Sequence, residues 1–453
     1  MRGISKHIVP MMALALILCA CAPGNKPLSV DAVAGAPGDN CLRIPVSISF
    51  SRDCRYCIEY WRDDGDVERT RTRTSEGGRV DETLMFLYPE TTYTFRVAAT
   101  SGEETVYSPE GQFTTGSLPF DVPQYRVSVK DASRTFPGLL LQSSAGNTGF
   151  VTFCDTDGAV VWYERFEEAV RQVTFDEKTG TLLVNLGFRF DSNGDLQRVA
   201  SKTVMLDLYG RRIFEKVSGD GYFDYPHHEI VRMEDGNILA LHNTTKMFDL
   251  SVKGGQDNTE VFGEGISIFT PEGETIWDWD CFGSLDILND QTVNPVKNAK
   301  DLMHANSVCW DTEGNLYISY NKQNEIWKIR KSDGKLLYRA ACNTDGIHSL
   351  VSLEPDKLLC LDNGKSAGQS RAVIYGIDPS TGIPETLFSV AFPREYCSIN
   401  RSNVVYRPDI DLLIFSSTVR LAAVFTDLEG NVLRVLERNE ISYRAYYYDS
   451  VQY

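Results

Sequence analysis

From about residue 125 the hydrophobic positions fall into pairs of short alternating runs set around a glycine turn, and this unit recurs six times. The copies read GFVTFCDTDGAVVWY, KTVMLDLYGRRIFEK, ISIFTPEGETIWDWD, IWKIRKSDGKLLYRA, AVIYGIDPSTGIPETLF and AAVFTDLEGNVLRVL. Period-two alternation predicts half-buried strands, and a glycine among polar residues predicts the turn between them. The turn glycines Gly158, Gly210, Gly273, Gly334, Gly382 and Gly430 lie 52, 63, 61, 48 and 48 residues apart. Each interval holds four short strands and their loops, the content of one propeller blade. A second hairpin type lies between them, in HEIVRMEDGNILALHN, HANSVCWDTEGNLYISYN and HSLVSLEPDKLLCLDNG. The two types alternate as the inner and outer halves of blades would. The fold expected for residues 125–453 is therefore an all-β, six-bladed β-propeller. A parallel β-helix would repeat at about half this period, and a sandwich would not repeat in sequence. FEEAVRQV is the single stretch with helical spacing.

Ahead of the repeats, residues 22–40 are rich in Pro, Gly, Ala and Asn, as a tether is. Residues 41–116 read as short strands, RIPVSISF and TYTFRVAAT among them, and predict a small β-sandwich. The run LYPETTYTFRV followed by SPEGQFTTG resembles the closing strands of fibronectin type III domains, in which Tyr93 would form the tyrosine corner. A linker over 117–124 joins sandwich to propeller. No chemistry is visible in the sandwich.

The first 21 residues carry Arg2 and Lys6, an apolar run from Ile8 to Leu18, and the sequence LCAC. This pattern predicts a secretory signal peptide, and its end resembles a bacterial lipobox with Cys21 as the lipid anchor. The alternative is cleavage of a plain signal peptide near Ala22. Either way export is expected, and with the anchor attachment to a cell-envelope membrane, the outer membrane being compatible with Ala22. The apolar run is too short to span a bilayer stably. A formal net charge of −17 argues against nucleic acid or anionic lipid headgroups as partners, while leaving room for a local basic pocket. Nine of the eleven cysteines follow Cys21, an odd number in a disulfide-permissive compartment. Cys54 and Cys57 predict either a local bridge or two buried thiols.

Histidine placement carries the most information about function. His228, His304 and His348 each stand at or just before the start of an inner-type hairpin, eight to ten residues ahead of its turn. Equivalent positions in a radially repeated fold converge on one mouth of the central channel. Three readings follow: a catalytic trio, a metal site for zinc or copper, or residues that brace the blades. No carboxylate or cysteine in these motifs completes a ligand set apart from Glu229, so no metal or other cofactor is expected.

The hairpins HHEIVRMEDGNILAL, HANSVCWDTEGNLYISYNKQNEIWKI and HSLVSLEPDKLLCLDNG, with SRAVIYGID after them, resemble the bacterial arylsulfate sulfotransferases, which use no nucleotide sulfate donor. The resemblance covers most of the chain from 125 onward. It implies transfer of a sulfuryl group from a phenolic sulfate ester to a second phenol, by way of a sulfohistidine. It implies His348 as nucleophile, His228 and His304 as acid–base partners, and Asn306 as a polar group on the sulfate oxygens. His227 is either the orienting neighbour of His228 or a surface residue, and Tyr320 is a candidate for the aromatic pocket. Ser398 and Ser402 are further candidates for its wall. Where the family has an arginine this chain has Asn321, so the lost charge is expected from Lys322 or from Arg371. A non-catalytic propeller binding a ligand or protein, or a hydrolase of aryl sulfate or phosphate esters, remains an alternative.

Overall fold

The computed structural model describes residues 26–62, 65–146, 148–187, 189–190, 196–197, 202–217 and 226–453. Cys21 and the leader lie outside the described residues. Among the described residues only Pro295–Asn298 forms an α-helix, a single turn. No helix among them is long and apolar enough to cross a membrane.

After Gln124 the described residues build six antiparallel sheets, I to VI in chain order, and a two-stranded ribbon of 189–190 with 196–197. Sheets III (226–280), IV (305–341) and V (347–391) each take four consecutive strands in sequence order, and sheet II (170–217) does so with the ribbon inserted between its second and third strands. Sheet I is assembled from both ends of this region: Leu139–Ala145, Gly149–Asp155 and Val160–Phe166 are joined by Ala445–Tyr448 as its innermost strand. Sheet VI (403–438) receives Tyr125–Lys130 as a fifth, outermost strand.

The innermost strands pack against one another in order around a ring, except between sheets I and II, where Leu139–Ala145 of sheet I meets the first strand of II. Each neighbouring pair of sheets shares an apolar layer. Leu358 and Cys360 pack toward sheet IV, whereas Leu359 and Leu361 pack toward sheet VI. Leu413 and Phe415 face sheet V, and Leu412 and Ile414 face sheet I. A strand buried on both faces has no polar side, which is why the second strands read as continuous runs such as KLLCLD and LLIFSS. The layer between VI and I, with Leu140 and Phe150 against Leu412 and Phe425, closes the ring.

The six glycine turns each join the third and fourth strands of a sheet. In three of them an aspartate three residues earlier forms the turn: the side chains of Asp155, Asp207 and Asp427 accept backbone N–H bonds from residues two and four positions on. Gly158, Gly210 and Gly430 then donate to the aspartate carbonyls at a positive φ that glycine alone takes without strain.

FEEAVRQV is not helical. Phe166 ends one strand and Val170–Asp176 begins the next, with a register shift between Val170 and Gln172. A short connection followed by a bulge reproduced the spacing of a helix.

Residues 30–114 form two sheets around one core. The tyrosine-corner expectation matches the geometry, since the Tyr88 N–H donates to the Tyr93 hydroxyl at 2.9 Å. The stretch expected as tether is shorter at its C-terminal side, because Val30–Ala34 pairs with Ile44–Phe50 and buries Val30. Cys54 and Cys57 lie three residues apart on one strand and therefore point to opposite faces, so they are separate thiols. Among the described residues no disulfide joins the nine cysteines.

Candidate active site

In every sheet the first strand starts, and the second ends, at the same end of the ring. A cavity of about 780 Å³ opens there. Its wall takes Arg171 from sheet II, His228 from III, His304 and Asn321 from IV, and His348 from V; Arg401 precedes the first strand of VI and Tyr443 that of I. The expected convergence of His228, His304 and His348 is thus realised. His228 and His304 stand at φ near +60°, and the register slips at the start of each of these strands, by two residues in sheet III and by one in sheets IV and V. Such bulges re-aim a side chain out of the sheet plane, here into the cavity.

The imidazoles sit in different surroundings. His348 is buried, with Nδ1 3.4 Å from the Gly346 carbonyl and 3.3 Å from Asn321 Nδ2. Burial pushes its pKa down to about 3, with the Gly346 carbonyl and the Asn363 amide opposing, so it is neutral. His228 is likewise held well below the usual range by burial, then by His227 and His304 nearby. Its Nδ1 is 2.7 Å from Nδ1 of His227, one ring donating to the other, and its ring meets those of His304 and Tyr443 edge-on at 5.4 and 5.8 Å. His227 is buried behind it, down to about 3 for the same first reason. It is an orienting neighbour and not a surface residue. His304 gives Nδ1–H to the Asp301 carboxylate at 3.1 Å. That carboxylate also takes the Lys322 ammonium at 2.9 Å, and despite partial burial the two partners hold it down to about 2.

Several expected contacts with substrate are not made. Asn306 is fully buried: its amide donates to the Ile347 carbonyl at 2.7 Å and its oxygen accepts from Ser319 at 3.0 Å. The amide thereby fixes the peptide just before His348, and the oxygen is spent within sheet IV. Tyr320 is fully buried in the apolar layer between sheets III and IV, against Trp327. Ser398 and Ser402 bond to each other at 2.8 Å inside sheet VI and its entry loop.

Neither candidate for the missing arginine is available. Lys322 lines the cavity but is tied to Asp301, and Arg371 is tied to Asp362 at 2.8 Å and to the Asn343 carbonyl at 2.6 Å. The cation that does reach the place is Lys365, on the loop after the second strand of sheet V. Its Nζ donates to Asn321 Oδ1 at 2.8 Å, and a side chain at Gly346 would collide with it. Asn321 thus links the lysine to His348.

Below the mouth runs a buried polar belt. The Glu229 carboxylate accepts from Arg444 at 2.7 and 2.8 Å, from Gln172 at 2.9 Å and from Ser307 at 2.9 Å, tying sheets I, II, III and IV together. Arg171, Lys365, Arg401 and Arg444 went unread in the sequence. RQVTF and RSNVV occupy the place that HEIVR and HSLVS hold in their repeats, with arginine standing where histidine does, and that alignment was the available signal. Among the described residues, no three His, Cys, Asp or Glu side chains are grouped to hold a metal ion.

Comparison with known proteins gives one family: residues 125–346 match Arylsulfotransferase (ASST). No curated protein matches the chain. Solved structures similar to it include a protein of unknown function from Bacteroides caccae, at 12% identity over 69% of this chain and 98% of that one, TM-score 0.43. Others are the nidogen/laminin complex, at 11% over 70% and 100%, TM-score 0.42, and the WD40 β-propeller domain of Doa1, at 12% over 72% and 87%, TM-score 0.38. These distant likenesses bear on no residue of the site.

Proposed function

With residues 125–346 placing the chain in the arylsulfotransferase family, a family of sulfotransferases for small aryl substrates, we propose that it moves a sulfuryl group from an aryl sulfate to a phenol through His348, without a nucleotide donor. The observation that carries this reading is a buried, neutral imidazole at the wall of a cavity that also holds two further histidines and a lysine. With its Nδ1–H donated to the Gly346 carbonyl, His348 keeps its lone pair on Nε2, which is the attacking nitrogen. Its lone pair bonds to sulfur as the bond from sulfur to the aryl oxygen breaks, and the phenolate departs. The Lys365 ammonium, held on Asn321 Oδ1 in the same cavity wall, is the cation offered to the sulfuryl oxygens. In the second half-reaction an acceptor phenol loses its proton to His304, and its oxygen attacks sulfur as the bond to His348 breaks. The Asp301 carboxylate supports the imidazolium then formed on His304. His228, held neutral, completes the wall as a hydrogen-bond partner. The chain is further proposed to be an exported lipoprotein anchored at Cys21.

The test is p-nitrophenyl sulfate with the purified soluble part of the protein. One equivalent of nitrophenolate is expected without acceptor and continuous release with phenol. His348→Ala is expected to lower turnover by about 10⁴-fold or more. Continuous release without acceptor would point to hydrolysis, and a His348→Ala variant as active as the parent would remove His348 from the reaction.

A further inference from the structure

We infer that the donor suited to this cavity carries a second anionic group, a carboxylate on its aryl ring, and that Arg401 recognises it; the inference rests on the sulfuryl-transfer reading above. An aryl sulfate monoester has one negative charge. The cavity wall carries four cationic side chains, Arg171, Lys322, Lys365 and Arg401, against one carboxylate, Asp301, in a chain whose net charge is −17. Such a local excess of one sign is a binding feature and not a trend of the surface.

The four are not equivalent. Lys322 is neutralised by Asp301. Lys365 stands beside His348 through Asn321, where the sulfuryl oxygens go. Arg171 lies on the sheet II side, close enough to His227 and His228 to help keep both neutral. Arg401 is left over: among the described residues its guanidinium has no hydrogen bond, ion pair or ring contact.

The loop that presents it is nonetheless rigid. Arg401 and Ser402 both sit at positive φ. The buried Asn363 amide holds the Arg401 carbonyl at 3.2 Å and the Ser398 carbonyl at 2.6 Å, and Ser402 is bonded to Ser398. Residues in that backbone region persist only where their surroundings enforce them. A braced loop holding an unpartnered arginine at a cavity rim suits recognition of a planar anion, because the guanidinium fork matches a carboxylate with two parallel bonds. Between this rim and the histidines, Ala145, Ala169 and Ile441 supply an apolar wall for the ring.

The test uses two donors of one shape, 4-carboxyphenyl sulfate and its methyl ester, titrated calorimetrically into His348→Ala protein. Binding of the carboxylate donor about tenfold tighter or more is expected, the value of one charge-assisted contact. Arg401→Met in the same background is expected to erase the difference. Equal affinities, a difference that survives Arg401→Met, or no binding of either donor overturns the inference. Because His348→Ala binding needs no turnover, this result is independent of whether the wild-type protein transfers or hydrolyses sulfate.

Discussion

At the residue scale, the question posed by Asn321 is which cation replaces the arginine it stands for. Adjacent residues on a strand face opposite sides, and that rule disfavours Lys322 beside Asn321. Instead Lys322 lies at the strand's end, where it reaches the cavity wall and is then taken by Asp301. Lys365 is 44 residues away in sequence and meets Asn321 at 2.8 Å. Lys365→Met is therefore expected to lower kcat/KM by about 10²-fold, the cost of removing one charged donor from developing charge. Lys365→Arg should keep most activity because charge and reach are retained. Arg371→Met, which breaks a pair with Asp362 outside the cavity, should act on stability and not on kcat/KM. Steady-state kinetics of the three variants decide the matter, and a loss in Arg371→Met equal to that in Lys365→Met would return the role to Arg371. The sequence could place His228, His304 and His348 together, because each occupies the same place in a repeat. It could not place Lys365, because a loop lysine has no periodic position.

At the element scale, the start of the first strand in sheets II and III does two jobs. Its bulge turns one side chain into the cavity, and the next residue inward joins a buried belt. In sheet III these are His228 and Glu229, in sheet II Arg171 and Gln172. The strand-and-turn pattern of the blades was legible because alternation survives in the outer hairpins. It failed at FEEAVRQV, where the bulge between Val170 and Gln172 displaced the apolar residues by one. Arg171 was lost to the reading for that reason. The belt makes its own prediction. Glu229 and Arg444 are both buried and pair at 2.7 Å. Removing the acid alone leaves a guanidinium uncompensated in low dielectric, so Glu229→Ala is expected to cost about 3–5 kcal/mol. The Glu229→Ala, Arg444→Met double variant removes both charges and should recover part of that loss. Urea denaturation monitored by tryptophan fluorescence measures both. A single variant within about 1 kcal/mol of the parent would mean that water reaches the pair.

At the scale of the whole molecule, the sandwich and the ring behave as one body, not as beads on a tether. The glycine turns lie at the end of the ring opposite the cavity, since strands alternate in direction. The sandwich docks at that end: Arg43 pairs with Glu164 at 2.7 Å and donates to the Leu208 carbonyl, and Tyr88 donates to Asp155. Apolar residues cross as well. Leu42 belongs to the layer between sheets VI and I, and Met85 to that between I and II. The far end of the chain ties the same joint, Tyr453 accepting from the Met85 N–H and donating to its carbonyl, both at 3.0 Å. Substrate thus reaches the cavity from the side the sandwich leaves open. A shared core also means shared unfolding, because neither part can expose its face of the joint without loss to the other. Scanning calorimetry of the soluble protein is therefore expected to give one transition covering sandwich and ring. Leu42→Ala, a truncation formally in the sandwich, should move that entire transition down by several degrees, since burial at such a site is worth about 2–5 kcal/mol. Two separate transitions, with Leu42→Ala shifting only the smaller, would show that the sandwich is an independent module and that the ring closes without it.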